Sequence, residues 1–245
     1  MNEVVKNRDF IIICDSVFIP FVSELLSFIT YSKQKLLTFF GISEIDRIKI
    51  ILYKDISAFC CDSGKIIKPN KIGGLFGYNR VMLYANLENV SHKDIYFGVC
   101  HEISHVIYQQ YVQEKGKINR VIWFDEGLAQ NLSGEKDRLL DDCLLSEFLD
   151  KKIFSKDKVI PKINYFDSHG NSFGSFVDME TKRYDGYDWS YLMIRYLMEV
   201  MEKEKFDRLM RSRKEIKSLG DALILETSDY FKCKVKRKGE SYDKI

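Results

Sequence analysis

The sequence is poor in the residues that punctuate or staple a chain. It holds only three prolines in 245 residues, Pro20, Pro69 and Pro161, and no stretch biased toward glycine, serine or proline, so nothing marks a flexible linker between independent domains. Its six cysteines, Cys14, Cys60, Cys61, Cys100, Cys143 and Cys233, show neither metal-binding nor redox spacing, and the adjacent pair at 60 and 61 suits no disulfide framework. They read as free thiols of a reducing compartment, which makes the expected location cytoplasmic. A surplus of one charge is also missing: at a net charge of +2 nothing steers the chain toward nucleic acid, and no such partner is expected. Long apolar runs are absent. The stretch from Phe10 to Tyr31 is interrupted by Asp15, Pro20 and Glu24, which excludes a spanning helix, and Phe10 to Cys14 is too short for the core of a secretion signal. Neither a membrane nor an internal repeat is indicated.

What is present is enough for a complete catalytic unit. A hydrophobic content of 45% with 30% charged residues is ordinary for a globular chain, and one of this length buries roughly 70–75% of its unfolded surface. Phe10-Ile11-Ile12-Ile13-Cys14 reads as a buried strand and Arg47 to Tyr53 as a second. Between them Phe21 to Phe40 carries apolar residues at helical spacing and stops at Gly41. The turn-rich segment Gly73 to Arg80 leads into Val81-Met82-Leu83-Tyr84-Ala85, a short apolar strand taken as the edge of the sheet. A helix is expected from His92 to Gln113, capped by Ser91 and closed near Gly116, and another from about Trp123. Further on, Lys136–Lys152, Tyr187–Glu204 and Glu215–Tyr230 read as helical and Asp167 to Gly174 as a loop, so the second half is mostly helical. The charged stretches Glu202 to Lys217 and Lys232 to Lys238 read as a solvated helix face and a charged terminus.

The chemistry sits in His101-Glu102-Ile103-Ser104-His105, a His-Glu-x-x-His pattern, and in Trp123-Phe124-Asp125-Glu126-Gly127-Leu128-Ala129 downstream. Two histidines four positions apart on a helix differ by about 400°, hence ~40° off one face and ~6 Å along the axis, so both imidazoles can reach one ion. His101, His105 and Glu126 would be three ligands to one Zn2+ per chain, leaving a fourth position open as in catalytic sites. Glu102 stands beside them as the general base for a zinc-held water and the acid toward the departing amine. Apolar flanks, Tyr96 to Cys100 and Val106 to Tyr108, place the helix in the interior, where two imidazoles and a carboxylate need a partner such as a divalent cation. Cys100 points ~100° away from His101 and reads as core. For the oxyanion, Tyr187 at the start of a helix is the candidate donor, with Tyr184 and Tyr191 as competitors.

These motifs resemble the gluzincin branch of zinc metallopeptidases, in which His-Glu-x-x-His is followed on a second helix by a glutamate ligand. The segment Trp123 to Ala129 is most similar to the Trp-x-x-Glu-Gly-x-Ala segment of the bacterial peptidase MA-like and collagenase catalytic domains. The resemblance is carried by about residues 96–131 and extends weakly over most of the chain. It implies an α+β zincin-like fold: a single catalytic unit over residues 1–245, with a small mixed sheet and the zinc helix in 1–118 and a helical lobe carrying the third ligand in 119–245. It implies the same ligands, Glu102 as base and Tyr187 as oxyanion donor. Two departures narrow it. Nothing between residues 60 and 100 matches the Gly-x-Met-Glu-Asn segment that captures a free amine in the aminopeptidases, and Tyr108 and Tyr111 stand where a metzincin needs Gly and His. The expected function is therefore zinc-dependent peptide-bond hydrolysis by an endopeptidase acting on a peptide or protein. The alternative is a zinc-binding interaction module without turnover, against which Glu102 argues, since a structural site has no use for a base.

Overall fold

The computed structural model describes residues 2–64, 72–113, 121–152, 186–219 and 222–242. The expected loop at 167–174, together with Gly116 and Tyr184, lies outside them. Two compact units are distinguished, Met1–Lys117 with Leu132–Glu135, and Ile118–Asn131 with Lys136–Ile245.

The first unit is built on a five-stranded mixed sheet. Its strands are β1 (Asn2–Lys6), β2 (Phe10–Asp15), β3 (Ile48–Tyr53), β4 (Ile72–Gly77) and β5 (Arg80–Ala85), in the order β1-β2-β3-β5-β4. The three central strands run parallel, and each outer strand is antiparallel to its neighbour. Helix α1 (Ile19–Phe40) makes the crossover from β2 to β3, as the strand, helix, strand spacing predicts. Pro20 falls at its first turn, where proline costs no hydrogen bond, and Gly41 ends it at φ 64°. Aromatic contacts of Phe21 and Phe28 with Tyr96, and of Phe28 with Phe97, pack α1 against α3 (His92–Ile107). On the other face α2 (Ile56–Ser63) lays Phe59 on Tyr53, Met82 and Tyr84.

Two expectations about the sheet are corrected. Val81 to Ala85 is not the edge; it lies between β3 and β4, with every one of its five residues buried. A strand covered on both faces has to be apolar at every position, which is why it reads as an unbroken run. The edge is β4, Ile72-Gly73-Gly74-Leu75-Phe76-Gly77, where three glycines hid a strand inside an apparent turn. Only Tyr78-Asn79 forms the turn, with Asn79 at φ 45°, a conformation that asparagine tolerates. At the opposite edge the charged N-terminal stretch forms β1, a strand that the sequence reading passed over. Charges are a common guard on edge strands.

The second unit is helical in its described residues: α4 (Ile122–Ser133), whose last two residues count with the first unit, α5 (Asp142–Lys152), α6 (Gly186–Val200), α7 (Lys203–Arg211), α8 (Arg213–Ser218) and α9 (Ala222–Tyr242). The helix expected over Lys136–Lys152 divides into a tight 3-10 turn, Asp137–Leu140, and α5. The one expected over Tyr187–Glu204 breaks before α7, where Glu202 is extended at ψ 143° and stands as its N-cap. Gly127 lets α4 approach α6 closely. A Cβ there would stand 2.6 Å from Ile194 Cγ1 and 2.8 Å from the Ser190 carbonyl carbon, and closer still to the carbonyl oxygen. Asn131 fastens the pair by donating from Nδ2 to the Gly127 and Tyr191 carbonyls at 2.8 and 2.9 Å.

Candidate metal centre

Helix α3 begins with a reciprocal cap: Ser91 Oγ accepts from the Asp94 backbone N–H at 3.2 Å, and Asp94 Oδ2 accepts from the Ser91 N–H at 3.0 Å. The cap sets where the helix starts and hence which residues face inward. The helix stays regular through His105 and then widens into a π-turn over Tyr108–Val112, short of the plain α-helix expected to Gln113. In that wider turn Gln110 Nε2 donates to the Gly77 carbonyl at 3.0 Å, and the Tyr111 hydroxyl meets Asp46 Oδ2 at 3.2 Å.

His101 and His105 direct their Nε2 atoms at each other across 3.0 Å, with the rings nearly perpendicular at 80°. Ligands to one tetrahedral ion with metal–nitrogen bonds of about 2.0–2.1 Å would stand about 3.3 Å apart, so this spacing suits a shared cation. Glu126 on α4 joins them: one ligand atom from each of the three residues falls within 4.8 Å of the other two, with His105 and Glu126 buried and His101 nearly so. The group could bind a metal ion, and it is the one such group among the described residues. Asp125, the neighbouring acid, is buried on α4 but lies outside the group.

The surroundings hold the imidazoles in place. His101 Nδ1–H donates to Glu135 Oε1 at 3.1 Å. A carboxylate only accepts, so this contact is a hydrogen bond when Nδ1 carries the proton, the tautomer that leaves the Nε2 lone pair for a metal. Glu135 follows Gly134, whose φ of 78° turns the chain back after α4. Phe76 of the edge strand stacks on the His105 ring with centroids 4.7 Å apart and planes 25° from parallel. Glu102 is buried on α3, and an ideal Cβ on Gly74 of β4 would stand 2.7 Å from its Cδ. Cys100 is buried next to His101, and burial pushes its thiol up to about 12, so it remains a neutral core group.

The tyrosines separate. Tyr191 is fully buried on α6 with its hydroxyl donating to Asp137 Oδ1 at 3.2 Å, and burial followed by the Asp137 charge raises its pKa, so it is a structural group. Tyr187 lies half-buried in the first turn of α6, whose Asp188 is held by Lys136 Nζ at 2.7 Å. Sequence reasoning missed Gly74, Phe76 and Glu135. Glycines inside a strand are a signal of close approach, whereas nothing local marks Glu135 as the partner of a histidine so far along the chain.

No protein-family model matches the chain, and no curated protein matches its sequence. Among solved structures it is similar to an aminopeptidase N family protein from Idiomarina loihiensis, at 13% identity and a TM-score of 0.51. The match covers 92% of this chain and 40% of that one, so the chain spans less than half the length of its neighbour. No helix among the described residues is long and apolar enough to cross a membrane. A mixed sheet beneath helices and a buried His-His-Glu group, with the likeness of fold to a peptidase, fit a zincin-like architecture.

Proposed function

We propose that the chain is a zinc-dependent peptide hydrolase, with His101, His105 and Glu126 holding one zinc ion and Glu102 as the proton carrier. The observation that carries this reading is the buried convergence of those three ligand atoms within 4.8 Å, one residue away from a glutamate on the same helix. Two imidazoles and a carboxylate form a donor set suited to zinc, and three protein ligands leave a position open. Zinc, when held there, supplies Lewis acidity toward a carbonyl and makes the water it touches acidic enough to react near neutral pH.

The rest of the chemistry belongs to the chain. Glu102 takes a proton from the attacking water on its carboxylate and delivers it to the departing amine nitrogen, so one group serves both halves of the reaction. Glu135 keeps the proton on Nδ1 of His101, and Phe76 orients His105. Tyr187 is assigned the hydroxyl that donates to the oxyanion. Among the described residues strand β4 pairs only with β5, and an extended peptide adding to its other side as a further strand is the binding mode this reading assigns. The edge strand Ile72–Gly77 contains no acid that would capture a free amine, which supports cleavage within a chain over removal of a terminal residue.

Glu102→Gln decides between turnover and mere binding. The variant is expected to keep about one zinc per chain while hydrolysis of a peptide library falls by ~10²-fold or more. Undiminished turnover would remove Glu102 from its role. Absence of hydrolysis in the unaltered protein, with zinc bound, would leave a binding module.

A further inference from the structure

We propose that Gly74 is a positioning residue for Glu102: the missing side chain on the edge strand keeps open the space in which the base carboxylate lies. The inference rests on the reading of Glu102 as proton carrier and adds to it the element that places the group.

The edge strand and the zinc helix meet along one matched stripe. Ile72, Gly74 and Phe76 share a face of β4 because side chains alternate along a strand. Their counterparts on α3 are Gly98, Glu102 and His105. A Cβ on Gly98 would stand 3.1 Å from Ile72 Cδ1, one on Gly74 would stand 2.7 and 2.9 Å from Cδ and Cγ of Glu102, and Phe76 stacks on His105. Positions 98, 102 and 105 are spaced by four and three, hence one line down a helix. On either side of Gly74 the strand fills the stripe with a large apolar side chain. It is bare only opposite Glu102.

Backbone conformation does not account for the glycine. Among the described residues the glycines at positive φ are Gly41, Gly64 and Gly134, so Gly74 has a dihedral open to any residue. A glycine inside a strand weakens it, which makes the clearance for Glu102 the reason that remains. The hairpin gives the clearance a direction. Its two-residue turn makes Gly77↔Arg80 a hydrogen-bonded pair, and alternation along the antiparallel register then turns the N–H and C=O of Gly74 away from β5, to the side where no described strand pairs. The carboxylate therefore lies against the strand position whose main-chain groups are offered to an added chain.

The test is a set of variants of the full chain: Gly74→Ala, Glu102→Ala, the double variant, and Gly77→Ala as control, since a Cβ at Gly77 meets nothing within 4 Å. Zinc per chain, thermal midpoint, and kcat and KM on a cleavable fluorogenic peptide are measured for each. Gly74→Ala is expected to keep its zinc and a KM within about twofold, while kcat falls by ~10²-fold or more, the range of a lost proton carrier. Its midpoint falls by roughly 3–10 °C, and this fall disappears in the Glu102→Ala background, where the space is free. Gly77→Ala keeps the zinc content and thermal midpoint of the unaltered protein, because its methyl meets no neighbour. Wild-type kcat in Gly74→Ala, or an equal fall of the midpoint with and without Glu102, overturns the proposal. If the unaltered protein cleaves no peptide the hydrolase reading fails, and the midpoint coupling alone then decides whether Gly74 makes room for Glu102.

Discussion

Removing the Glu135 carboxylate should loosen the metal without touching a ligand. Its hydrogen bond from His101 Nδ1 spans 3.1 Å, with the histidine side chain 12% and the glutamate side chain 26% exposed. A bond to a charged group contributes about 1.5–3 kcal/mol, and a carboxylate one-quarter in contact with solvent falls at the lower end through screening. About 1.4 kcal/mol is tenfold in an equilibrium constant. Glu135→Ala is therefore expected to raise the zinc Kd about tenfold, the low end of the range for groups that orient a ligand from behind. Glu135→Gln retains an acceptor oxygen and loses the charge, so its Kd should rise less, by ~3-fold. Competition against a chromophoric chelator at pH 7 measures both, with circular dichroism to verify that the variants fold alike. Affinities within twofold of the unaltered protein for both variants would refute the idea that Glu135 sets the tautomer and orientation of His101.

Two further outcomes test the packing of the helical unit. Gly127→Ala, which in an exposed helix would stabilise, should here lower the thermal midpoint by roughly 3–10 °C, because the new methyl meets the Ser190 carbonyl group, which is backbone and cannot swing away; a rise in a melting experiment would contradict it. Glu199 on α6 accepts from Lys234, Tyr230 and Arg195; burial alone would raise its pKa, but these bonds outweigh it and hold the carboxyl below its usual range. A depressed folded pKa stabilises above the unfolded value and the benefit is lost as pH falls through the folded one. Urea titrations should then find Glu199→Gln less stable than the unaltered chain at pH 7, with the gap closing in the acid range; a gap independent of pH would refute it.

The parts of this structure that were legible in the sequence are those written locally. His101 and His105 share a face because a helix repeats every 3.6 residues, and the cap at Ser91 and the stop at Gly41 follow from single side chains. What escaped depends on contacts between distant segments. The apolar run Val81–Ala85 looked like an edge strand because nothing within it tells which strands pair on either side of it, and β4 looked like a turn because it carries three glycines, of which Gly74 lies against Glu102. Glu135 is one more acid near a helix end until Gly134 turns it toward His101. The long helices expected after residue 136 were right in kind and wrong in their breaks, since short 3-10 turns and caps interrupt an apolar period without erasing it.

The central claim is that His101, His105 and Glu126 hold a metal ion, and the zinc content of the purified chain tests it most directly. Elemental mass spectrometry after exhaustive dialysis is expected to find about one zinc per chain, falling well below that in Glu126→Ala. No zinc in the unaltered protein, even after zinc is supplied, would contradict the account.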